Sequence, residues 1–332
     1  MSHVSARVSA LKPTAVNGIL IEIQSLRDSG ASIVSLMRGE PDLPTPAHVV
    51  AAATRALADG RTSYPDNRGE PVLREAVAAK LVRDNALTYD PGTELLVTTG
   101  ATLGIQAALL ALLTDGDEVL VPDPIYDAYQ SAIALAGGRC RPVLSNMDDG
   151  RFRLTVSALE AAHSPAARIL LLNTPWNPVG TVLRAAELEM IEAFVLRHDL
   201  MLISDEIYEA IVYDGHHHVS PASLSAELRE RTILVNSLSK TYAMTGWRVG
   251  YSAAPAPITS AMLLALQQMS RGPATFVQDA AAVALTGPQD CVSEILYCVS
   301  AKRSRRQRRV LVFLHTRASL PSIQRVPSAV AE

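Results

Sequence analysis

The chain has 332 residues, about twice a typical domain, with 30 Lys and Arg against 33 Asp and Glu for a net charge of −3. Its 48% hydrophobic and 19% charged residues are those of a globular protein with ample length to bury a core, which excludes a disulfide-stapled miniprotein and a disordered chain. No global field points to a nucleic-acid partner, and the three cysteines (Cys140, Cys291 and Cys298), none in a CxxC, supply neither a disulfide framework nor a zinc site.

The first residues, MSHVSARVSALKP, have no apolar signal core, and no apolar run reaches membrane-spanning length. A cytoplasmic protein without a membrane partner is expected. An arm over residues 1–45 ends in a stretch rich in turn signals, GEPDLPTP (Gly39–Pro46). A helix follows in HVVAAATRALADG, then a Gly/Pro-containing loop, YPDNRGEP. From Glu94 to Pro255, β-rich runs alternate with helical stretches: ELLVTTG, EVLVPDP, RCRPVLS, RILLLNTP, LMLISDEIY, TILVNSLSK and WRVGYSAAP. Most of these runs are near-continuously apolar, as strands buried on both faces of a parallel sheet are. TLGIQAALLALL and AAELEMIEAFVLRH have the helical spacing of crossover helices. The sequence therefore predicts a wound α/β sheet. Too few residues separate Lys240 from Trp247 for a parallel crossover, so the last strand is expected to run antiparallel. ITSAMLLALQQMS and ATFVQDAAAVALTG read as helices leading into a second unit, giving a large domain over 46–258 and a smaller one over 259–332.

Ligands of open α/β sheets collect beyond the carboxyl ends of the strands, so the polar residues there are the candidates for chemistry. TTGAT (Thr98–Thr102) ends a strand and starts a helix, offering free N–H groups to an anion. Asn177 follows RILLLNTPW, Asp205 and Tyr208 close LMLIS, and Ser237, Ser239 and Lys240 close TILVN. Arg248 is expected to open the antiparallel strand. An amine, a carboxylate, phenol-directed hydrogen-bonding groups and a phosphate clamp are what pyridoxal 5′-phosphate needs from a protein.

SLSKTYAMTGWRVGY, NTPWNPVG, DEIYE, GEPDLPTP and YPDNRG together resemble the signature segments of the class I aminotransferases, the fold-type I family that uses pyridoxal phosphate. The resemblance covers roughly residues 11 to 290. It implies an aspartate aminotransferase-like fold: a wound, mostly parallel sheet with one antiparallel strand in a large cofactor-binding domain, plus an incomplete smaller α/β domain. It also implies that Lys240 carries the cofactor as a Schiff base, that Asp205 pairs with the pyridinium nitrogen, and that Asn177 and Tyr208 hydrogen-bond its phenolate oxygen. Ser237 and Arg248, with the backbone at Gly100, Ala101 and Thr102, would hold the phosphate. Tyr126 takes the place of the aromatic that stacks on the ring, and Tyr64 that of the tyrosine reaching the phosphate of a neighbouring subunit, which makes a homodimer with shared sites. Gly39 and Asn177 lie where the substrate carboxylate binds. Lys240, Asp205 and Tyr208 are the catalytic candidates.

The implied reaction is amino transfer from an L-amino acid to a 2-oxo acid by a ping-pong mechanism, with aspartate or a similar small amino acid suggested by family frequency. A related β/γ or carbon–sulfur lyase and a catalytically impaired cofactor-binding protein are the alternatives. A nucleotide-dependent protein is disfavoured, since both GxGxxG and GxxxxGK[ST] are missing. His216, His217 and His218 are read as a solvated turn rather than a metal site, Cys291 and Cys298 as small apolar residues on one helix face, and the basic run Lys302–Arg309 as a solvated tail. After about Ser293 the family's pattern gives way, and a reading-frame change or truncation is the expected cause. Neither Arg317 nor Arg325 is identified by its surroundings as the family's carboxylate-binding arginine.

Overall fold

The structure is a computed structural model that describes residues 3–9, 11, 15–33 and 39–306. Arg317, Arg325 and the end of the basic run lie outside the described residues. Among those described, the strands are β1 (Leu95–Thr98), β2 (Glu118–Asp123), β3 (Arg139–Leu144), β4 (Asn146–Asp148), β5 (Arg151–Arg153), β6 (Ala167–Asn173), β7 (Met201–Asp205), β8 (Thr232–Ser237) and β9 (Gly250–Ala253). Seven of them make one sheet in the order β1-β9-β8-β7-β6-β2-β3, while β4 and β5 form a separate hairpin.

Strands β3, β2, β6, β7 and β8 pair in parallel, and β9 runs antiparallel to both neighbours, β8 and β1. The short link after Lys240 leaves no other choice, because a parallel return needs a crossover of a dozen or more residues. Alternation along each strand sends side chains to two apolar layers. Leu95 and Val97 pack with Val49, Leu73, Leu81 and Leu285, from the helices Ala47–Ala58, Pro71–Asn85 and Thr275–Thr286. On the opposite face Leu96, Leu171 and Ile203 pack with Ile105, Leu109, Ile133 and Leu266, from the helices Ala101–Leu112, Ala128–Leu135 and Ala256–Met269. Each such Leu or Ile, fully buried, contributes roughly 1.5–3 kcal/mol by leaving water. The sheet is thus held rigidly from both sides, and the strand ends become fixed points from which polar side chains can be aimed. Among the described residues, no helix is long and apolar enough to cross a membrane.

Candidate active site

Five strands end on a polar residue at the same edge of the sheet: Thr98 on β1, Asp123 on β2, Asn173 on β6, Asp205 on β7 and Ser237 on β8. Beyond them lies a cavity of about 920 Å³ whose wall includes Lys240, Asp205, Asn177, Tyr208, Ser237 and Arg248. Strand register thus brings residues from distant parts of the sequence to one place; Asn173 and Asp205 are direct register partners. Ala101, Thr102, Tyr126 and Gly39 reach the same cavity.

Asp205 is 5% exposed, and its Oδ2 accepts a 2.5 Å hydrogen bond from the Tyr129 hydroxyl. Burial pushes its carboxyl up to about 6, against the pull of the Tyr129 hydroxyl and the Ile207 N–H. Among the described residues no cation pairs with this carboxylate. The side chain of Asn173 donates to the Asp205 carbonyl at 3.0 Å and accepts from the Asn177 N–H at 2.6 Å, which fixes the loop carrying Asn177 against the end of β7. Burial also pushes the Tyr208 phenol up to about 12, so it stays a hydrogen-bond donor at neutral pH.

Lys240 sits in the short helix Leu238–Thr241, where Ser237 caps the start by accepting from the Ser239 N–H. Its Nζ donates to the Gly39 carbonyl at 2.5 Å and lies 5.8 Å from the Tyr208 ring centroid. Burial lowers the pKa of the ammonium; Glu40 opposes this and Arg248 adds to it. The segment bearing Gly39 is tied to the lysine loop by Thr45, which donates to the Ala243 carbonyl and accepts from the Trp247 indole, and by the Thr245 hydroxyl on Glu40.

Beside Arg248, the first-turn N–H groups of Ala101–Leu112 have no intrahelical acceptor. The Arg248 guanidinium lies against Gly100, where an added Cβ would stand 2.6 Å from its Nη2. Gly100 has φ +79° and ψ 164°, a region essentially reserved for glycine. Gly250 serves the same corner, since a Cβ there would come within 2.8 Å of the Asn236 carbonyl oxygen and of Gly100. Gly100→Ala is expected to cost about 1–3 kcal/mol in backbone strain and to displace Arg248. Binding of pyridoxal phosphate, titrated by absorbance, should weaken by about tenfold or more; unchanged affinity would argue against a phosphate site here.

Two expectations need correction. Arg248 does not open a strand: it occupies a left-handed turn (φ +55°) two residues before β9, which swings its side chain towards Gly100. His218 does not belong to a solvated turn. His216 and His217 are exposed, but the His218 side chain is 5% exposed and its Nε2 lies 2.7 Å from Glu206. Tyr64 stands apart from the cavity and is 89% exposed, and Tyr126 is partly exposed with its ring edge-on to Tyr129 at 5.2 Å. The sequence reading missed Tyr129, Glu40, Val16 and Leu20, all in the cavity wall. Tyr129 lies in the first turn of the helix Ala128–Leu135, just after Tyr126, but nothing in its spacing marked it as a partner of Asp205.

A buried carboxylate without a cation, a half-buried lysine, a phenol and an amide, and an arginine beside a helix N-terminus fit the ring nitrogen, carbonyl carbon, phenolate and phosphate of pyridoxal phosphate. A family model described as aminotransferase class I and II matches residues 31–323, past the point at which the recognisable motifs stop. An aspartate aminotransferase from Geobacillus stearothermophilus is 36% identical over 293 residues, 88% of this chain and 74% of that protein. An aromatic-amino-acid aminotransferase from Thermococcus litoralis is 42% identical over 283 residues, 85% of this chain and 71% of that protein. The solved structure of an aspartate aminotransferase from Rhizobium meliloti superposes with a TM-score of 0.88 at 36% identity, covering 92% of this chain and 76% of that one.

Proposed function

The chain belongs to the class I and II aminotransferases, and on that footing we propose how its residues divide the work of moving an amino group between an amino acid and a 2-oxo acid. It is a pyridoxal phosphate-dependent enzyme. Bound pyridoxal phosphate supplies an electron sink for the pair of electrons left at the substrate α-carbon when its proton departs. Lys240 would hold the group through its ε-amine, and that amine, when free, would take and return the substrate α-proton. The lowered proton affinity of Lys240 suits it to act as an amine rather than an ammonium.

Asp205 would hold the ring nitrogen and keep a proton there. Asn177 and Tyr208 would donate to the phenolate oxygen, and Tyr126 would pack against the ring. Ser237, Arg248 and the N–H groups of Gly100, Ala101 and Thr102 would hold the phosphate, while Gly39 and Asn177 would meet the substrate carboxylate. Tyr64, extended into solvent, reaches the phosphate of a second protomer, making the working unit a homodimer. Aspartate or a similar small amino acid is the donor, a reading supported by the relatives named aspartate aminotransferase.

The observation that carries the assignment is that Lys240, Asp205 and Arg248, from three separate strand ends, face one cavity. Purified, cofactor-loaded protein mixed with single amino acids should convert spectrally to the pyridoxamine form. A 2-oxo acid such as 2-oxoglutarate should reverse the change, and double-reciprocal plots should run parallel. Intersecting lines, or no conversion by any amino acid in a broad panel, would oppose the assignment.

A further inference from the structure

Asn173, the last residue of β6, is 8% exposed and lies in the cavity wall. Its side-chain nitrogen donates to the Asp205 carbonyl at 3.0 Å, and its side-chain oxygen accepts from the Asn177 N–H at 2.6 Å. The partners fix which end of the amide is which, since a carbonyl only accepts and a backbone N–H only donates. An aspartate in this place would set a second acceptor against the Asp205 carbonyl, and a leucine of similar shape would satisfy neither partner. The amide does not titrate, so both bonds persist at any working pH.

The two bonds are not equally replaceable. The Asp205 carbonyl also accepts from the Thr174 N–H at 3.0 Å, and β6 pairs with β7 up to Asn173 and Asp205 themselves, so the strand ends stay joined without the Asn173 side chain. The bond to Asn177 does something else. In the peptide unit between Trp176 and Asn177, the carbonyl accepts from the Gly180 N–H at 2.7 Å while the N–H reaches Asn173. Trp176 is anchored separately, by its indole N–H on the Pro124 carbonyl at 3.0 Å and by its burial. Those contacts fix where the loop runs. The Asn173 bond fixes how the peptide before Asn177 is turned, and so the direction in which the Asn177 side chain leaves the backbone.

We propose that Asn173 is a positioning residue for amino transfer: its side-chain oxygen turns the peptide before Asn177 so that the Asn177 side chain meets the phenolate oxygen of the cofactor. This rests on the reading of Asn177 as a partner of that oxygen. An amide N–H on the phenolate draws charge from the oxygen, which then holds less firmly the proton it shares with the nitrogen contributed by Lys240. The absorbance of pyridoxal phosphate attached at Lys240 therefore titrates with a lower midpoint than it would without Asn177, and Asn173 governs that midpoint at one remove.

The test follows the absorbance of the cofactor-loaded protein against pH in the parent, Asn177→Ala, Asn173→Ala and the double variant. Asn177→Ala deletes the side chain and keeps the backbone N–H; it should raise the midpoint by about one unit, the size of one charge-assisted hydrogen bond. Asn173→Ala should raise it in the same direction and should add nothing once Asn177 is alanine. A second readout needs no cofactor: exchange of the Asn177 amide hydrogen should quicken by about tenfold or more in Asn173→Ala, while the amides of β6 and β7 keep their protection. If Asn173→Ala does not fold, Asn173→Ser, whose side chain is too short to span to the Asn177 N–H, takes its place. A midpoint moved by Asn177→Ala but not by the change at Asn173, shifts that add in the double variant, or unchanged exchange at Asn177 overturns the proposal and leaves the role of Asn177 standing. A midpoint unmoved by Asn177→Ala sinks that role, and the proposal with it.

Discussion

Lys240→Ala is expected to leave a folded protein that no longer attaches pyridoxal phosphate covalently and whose amino transfer falls by roughly 10⁴-fold or more. The side chain serves two steps, attachment and proton movement, and no second amine faces the cavity among the described residues to replace it. Arg248, the other cation there, keeps its charge at any working pH and cannot act as a base. Structurally the change is mild. Lys240 is half-buried, its Nζ contact is with the Gly39 carbonyl, and Thr45 and Thr245 hold the neighbouring segments together independently. Borohydride reduction followed by peptide mapping should tag the parent at Lys240 and leave the variant untagged. Retained full activity, or a tag on another lysine in the parent, would remove Lys240 from the mechanism.

The parts of this site legible in the sequence are those fixed by chain geometry. A run that is apolar on both faces must be an inner strand, and the polar residues that close it stand at the sheet edge, which places Asp205 and Ser237 together without knowledge of any contact. The antiparallel β9 followed from a loop too short to cross over. The helix Pro71–Asn85 was not foreseen, because its buried face includes Lys80 and Asn85 and so breaks the apolar stripe that announces a helix. Their partner, Glu209, lies more than a hundred residues away. His218 was misread for the same reason. Its acceptor, Glu206, is reached only after the turn 214–217 folds back, and a row of three histidines gives no hint that the third alone is buried.

Asp205→Asn should have opposite effects on stability and on activity. In cofactor-free protein the folded state holds the Asp205 proton more tightly than the unfolded chain does, since its carboxyl is pushed from 3.8 up to about 6. Its contribution to stability is therefore fully present below about pH 4 and is lost as pH rises through about 6. At pH 7 the ionised, desolvated carboxylate lowers stability by up to about 3 kcal/mol, a ceiling because the Tyr129 hydroxyl and Ile207 N–H respond to the charge. Asparagine has the same shape, can still accept from Tyr129 and never ionises. The variant should thus melt at a higher temperature than the parent at pH 7 and lose that advantage near pH 4. Amino transfer, in contrast, should fall by about 10²–10⁴-fold, because a neutral amide cannot stabilise a protonated ring nitrogen. Denaturant unfolding of both proteins without cofactor at pH 4 and pH 7, beside steady-state rates of the loaded forms, measures both halves. A variant less stable than the parent at pH 7 would show that the charge of Asp205 is already compensated within the chain, and the case for a cationic ring nitrogen as its partner would lose its physical basis.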